Sequence, residues 1–373
     1  MKKIQITILS FTLLMLSNCK ENIDEVPQPK NVILLISDGA GLSQISSAFY
    51  FKDTSVNYSR FRNIGLINTS SSREDVTDSG AAATAFATGV KTFNGAIGVE
   101  DDSTSVENLV EIASLKHIKT GIIATSSITH ATPASFFAHS ISRGATEKIA
   151  LQLPKSDIDF FAGGGLQFFN KRSDQLNLLN ELEKNNFSID TVALSDLDDI
   201  KSNQKQGYFL AQDAMPTIIN NRGDFLSNAT DLGIQFLNKD ESGFFLMTEG
   251  SQVDWGGHDN NGEYLVSELI DFDDAVGKAL DFAEKDGNTL VIVTSDHETG
   301  GFTLKSKTRL KDDGSEYSDY SEIDMAFSIK GHSATLVPVF AYGPGSEVFV
   351  GIYENTEIFH KIIEVTKWGN PVD

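Results

Sequence analysis

Phe244-Phe-Leu-Met-Thr-Glu249-Gly-Ser-Gln-Val-Asp254-Trp-Gly-Gly-His258 sets a run of apolar residues directly against one acid, then a second acid and a histidine. Residues 244–247 have the length and unbroken apolar character of a strand buried on both faces, as strands of parallel sheets are. Three other segments repeat the plan: 32–36 is followed by Asp38, 120–124 by His130 and Thr132, and 290–293 by Asp296 and His297. Any one of these acids is explained as a helix cap or turn residue. Four strands together place ionisable side chains beyond strand C-termini, the edge at which open α/β sheets bind ligands. A fifth run spans 337–342, and amphipathic stretches at 106–114, 173–186, 264–284 and 356–365 lie between such runs. This alternation predicts an α/β protein, a three-layer α/β/α sandwich around a large, mostly parallel central sheet.

The chain has 373 residues, a formal charge of −22, 40% apolar residues and one cysteine. So acidic a surface repels nucleic acid, and no nucleic-acid partner is expected. One cysteine excludes an internal disulfide, a CxxC redox pair and a cysteine-rich zinc site, so any metal must sit on histidines and carboxylates. That cysteine is explained by position. Residues 1–18 have two lysines and then an apolar stretch too short to span a bilayer, the layout of a secretory signal. Leu16-Ser17-Asn18-Cys19 resembles a bacterial lipobox, which implies lipidation of Cys19; the alternative is an ordinary cleaved signal and an idle thiol. Residues 19–30 read as a polar tether with two prolines, and 31–373 as a single catalytic domain. No later apolar run has the length of a membrane helix, so the protein is expected to be exported, periplasmic or at the cell surface, and membrane-bound only through the lipid. Residues 312–324, acidic and serine-rich, read as an exposed loop, and 144–240 as scaffold.

Three segments carry the chemistry. Asp254 and His258 stand at i, i+4, on one helical face where they can share an ion. Asp296 and His297 sit on the bend after a strand, where adjacent ligands close on a second ion. Thr77-Asp78-Ser79-Gly80-Ala81-Ala82-Ala83-Thr84-Ala85-Phe86-Ala87-Thr88-Gly89 reads as a helix from about Ser79 to a terminal glycine. Ser79 then lies in the positive field of a helix N-terminus, which favours an alkoxide and binds an oxyanion. A plain serine N-cap explains the segment equally well when it is taken alone.

The combined pattern resembles the alkaline phosphatase family: Asp38-Gly39, Thr77 to Ala82 with Gly89 to Gly95, Thr132-Pro133 with Arg143, Glu249 with Asp254 and His258, Asp296 to Gly301, and His332 before Val337-Pro338, with order and spacing in agreement. The resemblance implies a phosphomonoesterase acting on small phosphate monoesters through a phosphoserine intermediate on Ser79, with two zinc ions and one magnesium. It implies that Asp254, His258 and His332 hold the first zinc, that Asp38, Asp296, His297 and the Ser79 oxygen hold the second, and that Asp38, Thr132 and Glu249 hold the magnesium. Arg143 is implied to fork two phosphate oxygens. It also implies a homodimer. Zinc at such sites lowers the pKa of a bound hydroxyl and, in pairs, clamps the entering and leaving oxygens; three dications also reverse the local sign of an acidic protein toward a phosphate dianion. This sequence departs from the best-known bacterial pattern at His130, where that pattern has Asp, and at Trp255, where it has Lys. His117, His139 and His360 are left as structural.

Other readings are weaker. A superfamily phosphodiesterase would use the same scaffold, often with Thr in place of Ser79. A sulfatase needs a C/S-x-P-x-R context, and Ser79 is followed by Gly-Ala-Ala. A lipid-tethered, non-catalytic zinc- or phosphate-binding protein would need neither Ser79 nor Arg143. Gly39-Ala40-Gly41-Leu42-Ser43-Gln44 lacks the third glycine of a dinucleotide loop.

Overall fold

The computed structural model describes residues 28–201 and 203–369. The signal segment 1–18, Cys19 and most of the tether lie outside the described residues.

Ten strands form the central sheet: β1 (Asn31–Ser37), β2 (Asn63–Asn68), β3 (Lys119–Ser127), β4 (Phe160–Gly164), β5 (Phe187–Asp190), β6 (Lys205–Phe209), β7 (Phe244–Gly250), β8 (Thr289–Thr294), β13 (Val337–Tyr342) and β14 (Gly351–Glu354). Between β8 and β13 lie four strands outside it: β9 (Glu298–Thr299), β10 (Thr303–Leu310), β11 (Glu316–Ala326) and β12 (His332–Ser333). The spatial order is β14-β2-β13-β8-β1-β7-β3-β4-β6-β5. Of these ten, only β13 runs against the others, pairing antiparallel with β2 and β8. The four strands that the sequence singles out, β8, β1, β7 and β3, are therefore contiguous and parallel at the centre of the sheet.

Their apolar runs are unbroken because both faces are covered. Val32, Leu34 and Ile36 point into one core layer with Phe86, Leu109 and Ile358, while Ile33 and Leu35 point into the other with Ile45, Leu226 and Leu265. The first layer is roofed by helices Ser79–Thr88, Leu109–Leu115 and Glu357–Thr366, the second by Leu42–Phe51, Phe225–Leu237 and Gly262–Asp286. This is the expected three-layer sandwich. The 25-residue helix Gly262–Asp286 begins where the Asn261 side chain accepts from Tyr264 N and stops at Gly287 in the left-handed region, φ 74°. Strands β4, β5 and β6, from the stretch read as scaffold, extend the same sheet.

One expectation is corrected. Residues 312–324 are not a loop throughout, because β11 pairs antiparallel with β10 in an exposed two-stranded ribbon. Only its base packs on the core, through Leu304 and Met325, while the rest is mostly polar and exposed, so neither an apolar run nor a sustained apolar/polar alternation marks it as a strand. Among the described residues no helix is long and apolar enough to cross a membrane.

Candidate active site

Each central strand delivers its polar residues at its C-terminal end. Asp38 follows β1, Glu249 is the penultimate residue of β7, and Asp296 and His297 follow β8; all four are at 0% exposure. Gly39, at φ +78°, turns the chain so tightly that a Cβ there would lie 2.7 Å from the Asp254 Cα, so glycine is needed on both counts. Asp254 and His258 lie on helix Gln252–His258, as their spacing predicts, with Asp254 Oδ2 3.3 Å from His258 Nε2. His332 enters from β12, which pairs with β9 so that His332 lies opposite Thr299. Thr132 is buried on the short helix Ala131–Ala134, and His130 precedes it.

The helix Ser79–Thr88 starts and stops where the sequence indicates, but its cap is Asp78, which accepts from Ala81 N, and not Ser79. Ser79 is thereby freed from capping. Its Oγ lies 3.5 Å from His297 Nε2 in a buried position at the positive end of the helix. Asp78 also takes Gly95 N at 3.0 Å and the Arg143 Nη1 at 2.8 Å, so the guanidinium is tethered beside the serine. Burial opposes ionisation of Asp78, but the Arg143 charge and these hydrogen bonds outweigh it and hold the carboxyl below its usual range.

Three features show that these residues fit metal ions. The first is three groups, Asp254 with His297 and His332, Asp38 with Asp296 and His297, and Asp38 with His130 and Glu249, each offering ligand atoms within 4.8 Å of one another. The second is orphaned polarity: among the described residues, both Asp38 oxygens, Asp296 Oδ2, Glu249 Oε1, Thr132 Oγ1 and His130 Nδ1 are buried without a hydrogen-bond partner. Buried polar groups are otherwise paired, so such a set calls for a ligand. The third is the histidines. His258 Nδ1 donates to the Lys330 carbonyl at 2.5 Å and His332 Nδ1 to that of Thr77 at 2.8 Å, which in the neutral rings leaves both Nε2 atoms as lone pairs 3.2 Å apart. Two facing lone pairs repel unless a cation lies between them.

The proton affinities express the same excess of negative charge. Burial, then the charges of Asp296, Asp254 and Glu249, holds the Asp38 carboxyl well above its usual range. Burial, with Asp296 adding to it, pushes Glu249 up to about 7 in spite of hydroxyl donors on its Oε2. For Asp254, burial is outweighed by the His258 hydrogen bond and the nearby imidazoles, which hold it well below the usual range. Its partner His258 is raised to about 9, chiefly by that hydrogen bond, so without a metal its Nε2 carries a proton toward Asp254 that a bound cation would displace. Burial and then Arg143 lower His130 to about 4. A neutral imidazole at that position can donate a lone pair.

The two departures from the best-known pattern meet: the His130 and Trp255 rings stand edge to face, with centroids 6.0 Å apart, and His130 Nε2 lies 3.5 Å from Arg143 Nη2. His139, left as structural, is satisfied by the Gly98 carbonyl at 2.6 Å and by Glu111 at 3.1 Å. Sequence reasoning gave no role to Asp78, Ser126, Ser251 or Thr299. Asp78 is open to detection as the acid just before a helix start; the other three are ordinary hydroxyl residues, and Ser126 and Thr299 reach Glu249 and Asp254 across 123 and 45 residues. Ser251 and Ser126 donate to Glu249 Oε2 at 2.5 and 3.2 Å and so leave Oε1 alone to face the cluster.

A serine at a helix N-terminus, inside a cage of buried carboxylates and imidazoles at the ligand-binding edge of a parallel sheet, defines a metal-dependent hydrolase. Comparison with known proteins narrows this. Residues 29–317 match the family model described as alkaline phosphatase. Alkaline phosphatase 3 of Bacillus subtilis (strain 168) is 34% identical, the match covering 94% of this chain and 91% of the relative. The alkaline phosphatase from the Antarctic bacterium TAB5 superposes with a TM-score of 0.90 at 65% identity, over 93% of this chain and 100% of that one. A histidine-to-aspartate mutant of that enzyme, with Mg bound in its M3 site, gives a TM-score of 0.91 at 66% identity, with the same coverage. The chain belongs to the alkaline phosphatase family.

Proposed function

We propose that this enzyme hydrolyses phosphate monoesters to an alcohol and inorganic phosphate through a phosphoserine intermediate on Ser79. One observation carries the reading: unpartnered carboxylate oxygens and free imidazole Nε2 atoms surround a buried serine at a helix N-terminus. Asp254, His258 and His332 would hold one zinc; Asp38, Asp296 and His297, with the Ser79 oxygen, a second; and Asp38, Thr132 and Glu249 a magnesium, for which hard oxygen donors are suited. When bound, these cations neutralise the phosphoryl dianion and make the serine hydroxyl and water easier to ionise.

The chain's own groups do the rest. The helix N-terminus stabilises Ser79 once its proton has left to solvent. Its Oγ forms the bond to phosphorus as the ester oxygen departs with the bonding pair and takes a proton from water. Arg143, anchored through Nη1 to Asp78, offers its remaining N–H groups to two phosphate oxygens, a planar fork that lysine lacks. A water then attacks phosphorus from the side the alcohol left, giving up a proton to solvent, and the bond to Ser79 Oγ breaks with its electron pair on Oγ, which regains a proton as phosphate is released. His130, beside Arg143, replaces a carboxylate at the third site and makes a poorer partner for a hard cation. The TAB5 mutant that gains an aspartate for a histidine and holds Mg in its M3 site supports this view of the site.

The deciding experiment is steady-state hydrolysis of an aryl phosphate monoester, its diester and the matching sulfate by the purified chain, with and without chelator and with Ser79→Ala. Monoester preference, lost on chelation and in the variant, is expected. Preference for the diester or the sulfate moves the assignment within the superfamily, and absence of turnover in metal-loaded protein leaves only a binding protein. The proposal extends to export, a lipidated Cys19 and a homodimer. Release from the membrane fraction by Cys19→Ala and the mass in sedimentation equilibrium test the last two.

A further inference from the structure

Thr299 stands where the ligand sets of the two proposed zinc sites meet, and belongs to neither. Its Oγ1 donates to Asp254 Oδ1 at 2.6 Å and lies 3.1 Å from His297 Nδ1. Its backbone is paired across the β9–β12 ribbon with His332. A ligating carboxylate is ionised and only accepts, so the single hydroxyl proton of Thr299 is committed to Asp254. Toward His297 the same oxygen can then act only as an acceptor. That places the imidazole proton on Nδ1 and leaves Nε2 as the lone pair, the atom that lies 3.3 Å from Asp296 Oδ2, 3.6 Å from Asp38 Oδ1 and 3.5 Å from Ser79 Oγ. One hydroxyl thus turns a ligand of one site and fixes the tautomer of a ligand of the other.

The residue is held rigidly enough for this task. Thr299 N donates to the Gly39 carbonyl at 3.1 Å, and its carbonyl accepts from Gln44 Nε2 at 2.9 Å. Two glycines leave space only for the side chain as it stands. A Cβ at Gly39 would come within 2.9 Å of Thr299 Oγ1, and one at Gly257 within 2.9 Å of its Cγ2.

We infer that Thr299 is a positioning residue that couples the two zinc sites, so that loss of its hydroxyl weakens both together. The inference rests on the ligand assignment proposed above. Its test is a zinc titration against a competing chelator on the full chain, comparing wild type, Thr299→Val and Thr299→Ser, with the melting temperature of each metal-free protein as a control for folding. In Thr299→Val, affinity for both zinc equivalents is expected to fall about 10- to 100-fold, as for other partners of metal ligands, and Thr299→Ser restores both. If the valine variant does not fold, Thr299→Ala carries the same expectation. Wild-type affinities in the variant, weakening of one equivalent alone, or a serine variant no better than valine overturns the inference. Failure of the wild type to take up two equivalents overturns the ligand assignment itself, a distinct result.

Discussion

Asp38 and Asp273 are both 0% exposed, yet they are buried on opposite terms. Asp273, in the middle of helix Gly262–Asp286, accepts from Lys52 Nζ at 2.5 Å, Asn57 N at 3.0 Å, Tyr58 N at 3.1 Å and Asn57 Nδ2 at 3.2 Å. The chain itself supplies the cation and the donors, and the carboxylate ties segment 52–58 to the helix. Asp38 has no protein donor on either oxygen and three other acids near it. What separates the structural aspartate from the functional one is therefore not burial or charge but who pays for the desolvation. Where the fold withholds every donor from a buried carboxylate, the missing partner comes from outside.

Exchanging each aspartate for asparagine separates the two roles most sharply. Asp38→Asn is expected to lower kcat by about 1,000-fold, the scale of losing a principal electrostatic group, while the metal-free protein gains about 1–2 kcal/mol because one acid of a crowded, donorless buried cluster is gone. Asp273→Asn is expected to keep its zinc stoichiometry and lose about 3 kcal/mol of stability, towards the low end for a broken buried pair because Lys52 retains Asp274 at 2.6 Å. Denaturant melts of the chelated proteins and metal analysis check both, and the comparison breaks if the two variants behave alike.

An effect of similar size to that of Asp273→Asn lies in the pH dependence of the metal-free protein. Glu249 binds its proton more tightly folded, at about 7, than unfolded, at an ordinary 4.5. The folded state therefore holds the extra proton, and the stabilisation present below pH 4.5 is lost as pH rises through 7, on the order of 3 kcal/mol. Calorimetry of chelated protein is expected to show melting falling from pH 5 to pH 8, with saturating zinc and magnesium removing the trend. Melting that rises over that range in chelated protein contradicts it.

Next in size is the third site. His130→Asp is expected to lower the magnesium concentration for half-maximal activity about tenfold, and the wild type to gain activity when magnesium is added to zinc-saturated, magnesium-stripped enzyme. Equal rates with and without magnesium refute a loose site. Smallest is Trp255→Lys, which returns a cation to the phosphate pocket and is expected to tighten inhibition by inorganic phosphate roughly threefold. Weaker inhibition in the variant rules the account out.

Much of this was legible in the chain. The runs at 32–36, 120–124, 244–247 and 290–293 are buried on both faces and so are uniformly apolar, and the residues that follow them are the ones the fold gathers. The i, i+4 spacing of Asp254 and His258 survives because a helix carries it. The ribbon β10–β11 was not legible, since most of it is exposed and only Leu304 and Met325 at its base pack on the core, too few to mark its register. Nor were Thr299, Ser126 and Ser251, whose meaning lies in partners up to more than a hundred residues away, as with Ser126 and Glu249. Asp78 is an intermediate case: its capping role is local, whereas its hold on Arg143 exists only in three dimensions.

The late position of His332, on the short ribbon after β8, has a consequence for how the protein is made. Eight of the nine proposed metal-binding side chains, Ser79 included, are already synthesised when the chain reaches residue 300, yet the first zinc set is incomplete until residue 332 has been added. Such distant contacts form slowly. Capture of the first proposed zinc therefore waits for His332 and the closing of the β9–β12 ribbon, whereas every ligand of the other two sites precedes residue 300, so retention of that one ion reports that the ribbon has formed.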